Sequence, residues 1–224
     1  MTIIDISLIL GAIIISIIAD TNIRSTYAKT KEMKTTRGLT GEEAARMILD
    51  KNDLKNVKVK EVEGDLSDHY NPEDKTVNLS SYIHSKNSIA SIAVASHECG
   101  HALQDKNGYL FLRIRRSLVP LVNLASTLGY IAIMIGLLAS SLHIFRFGVY
   151  AECIILFFQL ITLPVEFNAS HRALQKIEEY KIVTTDELKY AKKMLRSAAL
   201  TYVAALTSTL LNILRLVLMF RNND

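Results

Sequence analysis

The sequence predicts a mainly α-helical, multi-pass membrane protein of about four transmembrane helices, with an extramembrane domain that contains a small β-sheet. Three observations carry this. Half of the 224 residues are apolar, and they gather in four runs: Ile3 to Ala19, Leu118 to Leu142, Val149 to Val165 and Ala198 to Phe220. Each run is near the roughly 20 residues that cross a bilayer as a helix. Basic residues flank the runs unevenly, and short alternating apolar segments with turn residues occur between the first two runs.

The first run lacks the basic start and small-residue cleavage site of a secretory leader, with Asp5 its only early charge, so it is expected to remain as an anchor. Arg24, Lys29, Lys31, Lys34 and Arg37 follow it, and Lys106, Arg113, Arg115 and Arg116 precede the second run. Seven more basic residues, from Arg172 to Arg196, separate the third run from the fourth, whereas the link "HIFRFG" at 143–148 carries only Arg146. Basic residues near membrane ends stay in the cytoplasm. The expected organisation is an N-terminal anchor at 1–20, a cytoplasmic domain at 21–117, a transmembrane hairpin at 118–165, cytoplasmic helices at 166–197 and a C-terminal span at 198–224. The net charge of +4 therefore reflects topology, and no nucleic-acid motif accompanies it. Only Cys99 and Cys153 are present, one in the cytoplasmic part and one in a span, so no disulfide framework is expected.

Within the first cytoplasmic segment, "TGEE" places Thr40 three residues before Glu43, a capping box that opens a helix to Lys51 with Ala44, Ala45, Ile48 and Leu49 on its apolar face. Val57, Val59 and Val62 predict one strand and "TVNLS" at 76–80 a second, with "NPEDK" as a turn. Ser88 to Gln104 reads as a helix with Ser85 or Asn87 as cap and "DKNG" at 105–108 as terminator. Further helices are expected over Glu166 to Glu179 and Thr185 to Arg196, the latter capped by Thr185 or Asp186.

The helix at 88–104 contains "HECGH". Each helical residue turns by about 100°, so His97 and His101 project from one face, where two imidazoles can share a metal ion. The spacing matches H-E-x-x-H, in which the histidines bind zinc and the glutamate, here Glu98, is general base. Cys99 points elsewhere and is expected to be packed. Catalytic zinc takes three protein ligands and keeps a position open for water. Glu166 is the leading third candidate, because it follows the third run on the same side of the membrane. His171 is an alternative third ligand; His171 or Arg172 could instead stabilise an oxyanion, although His171 reads more simply as a solvated helix residue. His69 and Tyr70 lie near the turn before the second strand, within potential reach of the site. His84 and His143 look structural. Thr76, Val77, Asn78, Leu79 and Ser80 could hold an extended substrate by edge pairing, or could simply complete the sheet.

The stretches "GLTGEEAARMIL", "LSDHYNPEDKTVNLS", "SIASIAVASHECGHALQ" and "LPVEFNASHRAL" resemble the YugP-like family of bacterial membrane proteins, described as neutral zinc metallopeptidases, and more distantly the HtpX-like membrane metallopeptidases. The resemblance implies a zincin-like cytoplasmic domain, with His97, His101 and Glu166 as zinc ligands and Glu98 as base. Distant relatives carry an aspartate four residues after the ligand glutamate, where this chain has Ser170, which can hydrogen-bond a ligand histidine without supplying charge. The function expected is a zinc-dependent endopeptidase in the bacterial cell membrane, acting near the cytoplasmic face on peptides or membrane proteins, with the lipid bilayer as its other partner and no nucleic acid. Two rivals are a catalytically inactive zinc-binding scaffold and an intramembrane site-2-type protease. The second would take an aspartate from a later span, and neither Val149–Val165 nor Ala198–Phe220 contains one.

Overall fold

The computed structural model describes residues 2–64 and 66–221; the outermost residues of the expected 1–20 and 198–224 segments lie outside them. In chain order the elements are α1 (Ile3–Glu32), α2 (Gly41–Lys51), β1 (Lys58–Val62), β2 (His69–Asn71), β3 (Thr76–Ser80), α3 (Ser81–Ser85), α4 (Ile89–Lys106), α5 (Leu110–Leu138), α6 (Leu142–Glu179) and α7 (Thr185–Arg221). Four of these helices, α1, α5, α6 and α7, are long and apolar enough to cross a membrane. The chain divides into two compact units, one of residues 1–20, 111–164 and 200–224, the other of residues 21–110 and 165–199.

In the first unit, the helices leave Ile13, Ile14, Ile17, Ile18, Leu124 and Leu128 exposed, an apolar exterior that suits lipid and not water. Small residues bring helices together where bulk would hold them apart. A Cβ added to Gly129 would sit 2.6 Å from the Ala151 Cβ, and one at Gly136 would sit 2.6 Å from the Phe145 nitrogen. α5 and α6 therefore pair closely. Their connection is a turn at 139–141, closed by the Ser141 N–H donating to the Gly136 carbonyl at 2.9 Å with Ser140 at φ 51°. This corrects the expected link at 143–148. Gly148, the last residue of that expected link, lies inside α6, where its missing side chain admits Ile133 and the Gly129 carbonyl.

The second unit holds the sheet, which has the order β1-β3-β2. β1 runs parallel to β3, from Lys58 opposite Thr76 to Val62 opposite Ser80, and β2 runs antiparallel, with His69 opposite Asn78 and Asn71 opposite Thr76. β3 is buried throughout. β3 is the central strand, paired with β1 along its length and with β2 at Thr76, Val77 and Asn78, so the edge pairing expected of Thr76, Val77, Asn78, Leu79 and Ser80 meets occupied neighbours on both sides at its first three residues. Val77 and Leu79 instead pack into the core with Ile48, Leu49, Val57, Ile83, Ile89, Ile92, Ile177 and Ile182, all fully buried. Each such side chain contributes about 1.5–3 kcal/mol by leaving water, so this cluster is what fixes α2, α3, α4 and the end of α6 around the sheet.

The helix ends follow their side-chain chemistry. Thr40 and Glu43 form the expected reciprocal box, with Glu43 Oε2 accepting from the Thr40 N–H at 2.8 Å. α4 is capped by Ser88, whose hydroxyl accepts from the Ser91 N–H at 3.1 Å, and not by Ser85 or Asn87. α7 is capped one residue earlier than expected: the Glu187 carboxylate accepts from the Thr184 N–H at 2.8 Å while Thr184 Oγ1 accepts from the Glu187 N–H at 3.3 Å. The helices expected at Glu166–Glu179 and Thr185–Arg196 are not separate elements. Each is continuous with an apolar run, α6 passing through Pro164.

Candidate metal centre

α4 presents His97 and His101 from one face, with ring centroids 4.8 Å apart and planes at 84°. α6 meets this face where Gly100 passes the Ala169 carbonyl; a Cβ on Gly100 would lie 2.4 Å from that oxygen. The close approach delivers Glu166, 2% exposed, to the imidazoles: its Oε2 is 3.2 Å from His97 Nε2 and 3.6 Å from His101 Nε2. One ligand atom from each of the three residues lies within 4.8 Å of the other two. Glu166 is far from the two histidines in sequence, yet the fold brings all three to one point.

The far nitrogens of both rings are engaged. His97 Nδ1 is 3.2 Å from Ser170 Oγ, and His101 Nδ1 is 3.0 Å from Gln104 Oε1. Two imidazole nitrogens and one carboxylate oxygen, each histidine steadied through its other nitrogen, are the donor set of a three-ligand zinc site with an open fourth position. The residues therefore fit zinc.

Glu98 is buried beside the cluster, and its Oε2 accepts the Tyr70 N–H at 2.9 Å. Tyr70 belongs to β2, so the sheet holds this carboxylate through its outer strand. The tyrosine hydroxyl reaches Asp105, which also pairs with Lys75. Asp68, just before β2, accepts from the Ser80 N–H at 2.7 Å. Burial pushes the Asp68 carboxyl above its ordinary range, and the nearby Glu98 charge adds to the rise against the hydrogen bonds from Ser80. Burial alone would push His101 down, but its hydrogen bond to Glu166 and the charges of Glu98 and Glu166 outweigh it, leaving the imidazole with a raised pKa. A carboxylate-rich pocket of this kind attracts a cation.

Cys99 is buried in the core, where its thiol contacts the Ala45 carbonyl at 3.6 Å, and burial pushes its pKa up. His171 is exposed on α6 and stands outside the cluster. Arg172 donates through Nε to Asn168 Oδ1 at 2.7 Å. Of the participants, Gln104 was not among the expected site residues, and Tyr70 was expected only as lying within potential reach. Gln104 lies three residues after a ligand histidine, a spacing that reaches the same helix face, and Tyr70 acts through its backbone, which no side-chain pattern reveals.

A family model described as "Putative neutral zinc metallopeptidase" matches residues 5–221. The chain is 42% identical over 215 residues to the "Putative membrane protease YugP" of Bacillus subtilis (strain 168), covering 96% of each protein. No solved structure matches it.

Proposed function

The chain belongs to the neutral zinc metallopeptidase family, and from that premise we propose that it is a membrane-bound zinc endopeptidase whose metal is held by His97, His101 and Glu166. The observation that carries this is the convergence of those three residues with Glu98 buried alongside. Bound zinc would polarise a peptide carbonyl and make an attacking water more acidic.

The chain's own residues supply the rest. Glu98 takes the proton of the attacking water and passes it to the leaving amine. The Tyr70 N–H, bonded to Oε2, keeps the carboxylate in place and leaves Oε1 to receive the proton. Ser170 and Gln104 hold the two imidazoles, so the ligands need little reorganisation on metal binding. A purely structural zinc site has no use for a base beside its ligands, and Glu98 therefore favours the enzyme over an inactive scaffold.

The substrates we propose are membrane proteins, their loops, or hydrophobic peptides. Glu166 directly follows the apolar run Val149–Val165 in sequence, and the basic residues around the site segments support a cytoplasmic location for the chemistry. Purified protein in lipid nanodiscs should cleave a hydrophobic reporter peptide, lose activity to a zinc chelator and regain it with added zinc. Cleavage that is indifferent to chelation would defeat the proposal.

A further inference from the structure

Gln104 is fully buried, and its amide can sit only one way round. Its Nε2 is 2.7 Å from the Val165 carbonyl and 3.1 Å from Asn168 Oδ1. A backbone carbonyl can only accept, so the amide nitrogen must face it and the amide oxygen must face away. That oxygen lies 3.0 Å from His101 Nδ1. An amide oxygen can likewise only accept, so Nδ1 must carry the proton. In the neutral ring the lone pair then belongs to Nε2, the atom turned toward Glu166.

His97 has no such constraint, because the Ser170 hydroxyl at its Nδ1 can donate or accept. Of the two histidines, only His101 meets at Nδ1 a group that can do nothing but accept. The dictating group, the Val165 carbonyl, belongs to the residue just before Glu166.

We propose that Gln104 is a positioning residue for the metal: it reads the Val165 carbonyl on α6, sets His101 in the tautomer that offers Nε2, and so couples one zinc ligand to the backbone that carries another. This rests on the reading of His97, His101 and Glu166 as zinc ligands.

The test is zinc affinity, measured by chelator competition on the full chain in nanodiscs, beside the unfolding temperature of the zinc-free protein. Gln104→Met keeps the volume and removes the acceptor, and should weaken zinc binding about 10–100-fold, the usual effect of losing a partner behind a ligand. Gln104→Glu keeps an acceptor for His101 but loses both donors. It should unfold at a lower temperature yet bind zinc at least as tightly as the wild type, a separation that a merely structural role would not produce.

Wild-type affinity in Gln104→Met overturns the proposal, as does an equal loss in both variants. Should Gln104→Met not fold, Gln104→Glu decides alone, with weakened zinc binding as the contrary result. Failure of the wild-type chain to bind zinc falls on the ligand reading itself and not on Gln104 within it.

Discussion

Gly100 stands between the two ligand histidines, and replacing it with alanine should loosen the metal centre without touching a ligand. The added Cβ would lie 2.4 Å from the Ala169 carbonyl oxygen and 3.0 Å from its carbon. Ordinary van der Waals contact begins near 3.4 Å, so α4 and α6 must separate locally by about 1 Å. The neighbour is backbone in a helix, which cannot rotate aside as a side chain can. Overpacking of this kind costs about 1–3 kcal/mol. The same separation acts on Glu166, three residues earlier on α6, and would stretch its 3.2 Å approach to His97. Ligands displaced by that much no longer share one tetrahedral centre. The assay is thermal unfolding of the zinc-free protein with chelator competition for zinc. Gly100→Ala should lower the unfolding temperature and weaken zinc binding at least tenfold, an effect of about 1.4 kcal/mol. Unchanged stability and zinc affinity would refute the claim that the helix contact at Gly100 sets the ligand geometry.

Other expectations can be checked on the same preparation. Glu166→Ala should abolish stoichiometric zinc binding measured by elemental analysis, whereas His171→Ala, altering an exposed residue outside the cluster, should retain it. Thr40→Ala removes the capping box of α2 and should cost about 0.5–2 kcal/mol of stability, seen as a lower unfolding temperature with zinc affinity unchanged. In the zinc-free protein, His101 binds its proton more tightly when folded than when unfolded. That contribution is fully present below the ordinary value of 6.5 and is lost as pH rises through the higher folded-state pKa. Zinc-free protein should therefore become less stable from pH 6 upward across this window, while zinc affinity rises because metal and proton compete for the same ring. A zinc-free stability that increases over this window would contradict the role given to His101.

How much of this was legible in the sequence depends on the range of the forces involved. The capping box at Thr40 and the shared face of His97 and His101 are local consequences of helix geometry, and both appear in the structure as the residue pattern implies. The four apolar runs could be read because bilayer thickness sets a length scale. Glu166 emerged from membrane topology, since spans that return the chain to one side bring distant residues into reach.

Long-range pairing was harder to read. β2 is three residues long, and "HYN" has no alternation of its own; it is a strand because β3 and Glu98 accept its backbone. The central place of β3 is likewise a property of the neighbours it pairs with, and its own residues do not reveal it. The turn at 139–141 has no proline or glycine to mark it, and Gly148, at the end of the expected link, serves close packing. Gln104 looked like an ordinary helix residue. Its importance comes from its bond to the Val165 carbonyl on another helix, which no local pattern reveals.

The most direct test of the central claim is zinc content and peptide cleavage measured together on Glu98→Gln. Glutamine keeps the size of the side chain and an oxygen to accept the Tyr70 N–H, but cannot take a proton from water. The account predicts one zinc per chain, as in the wild type, with cleavage abolished. Undiminished cleavage by the zinc-loaded variant would contradict it.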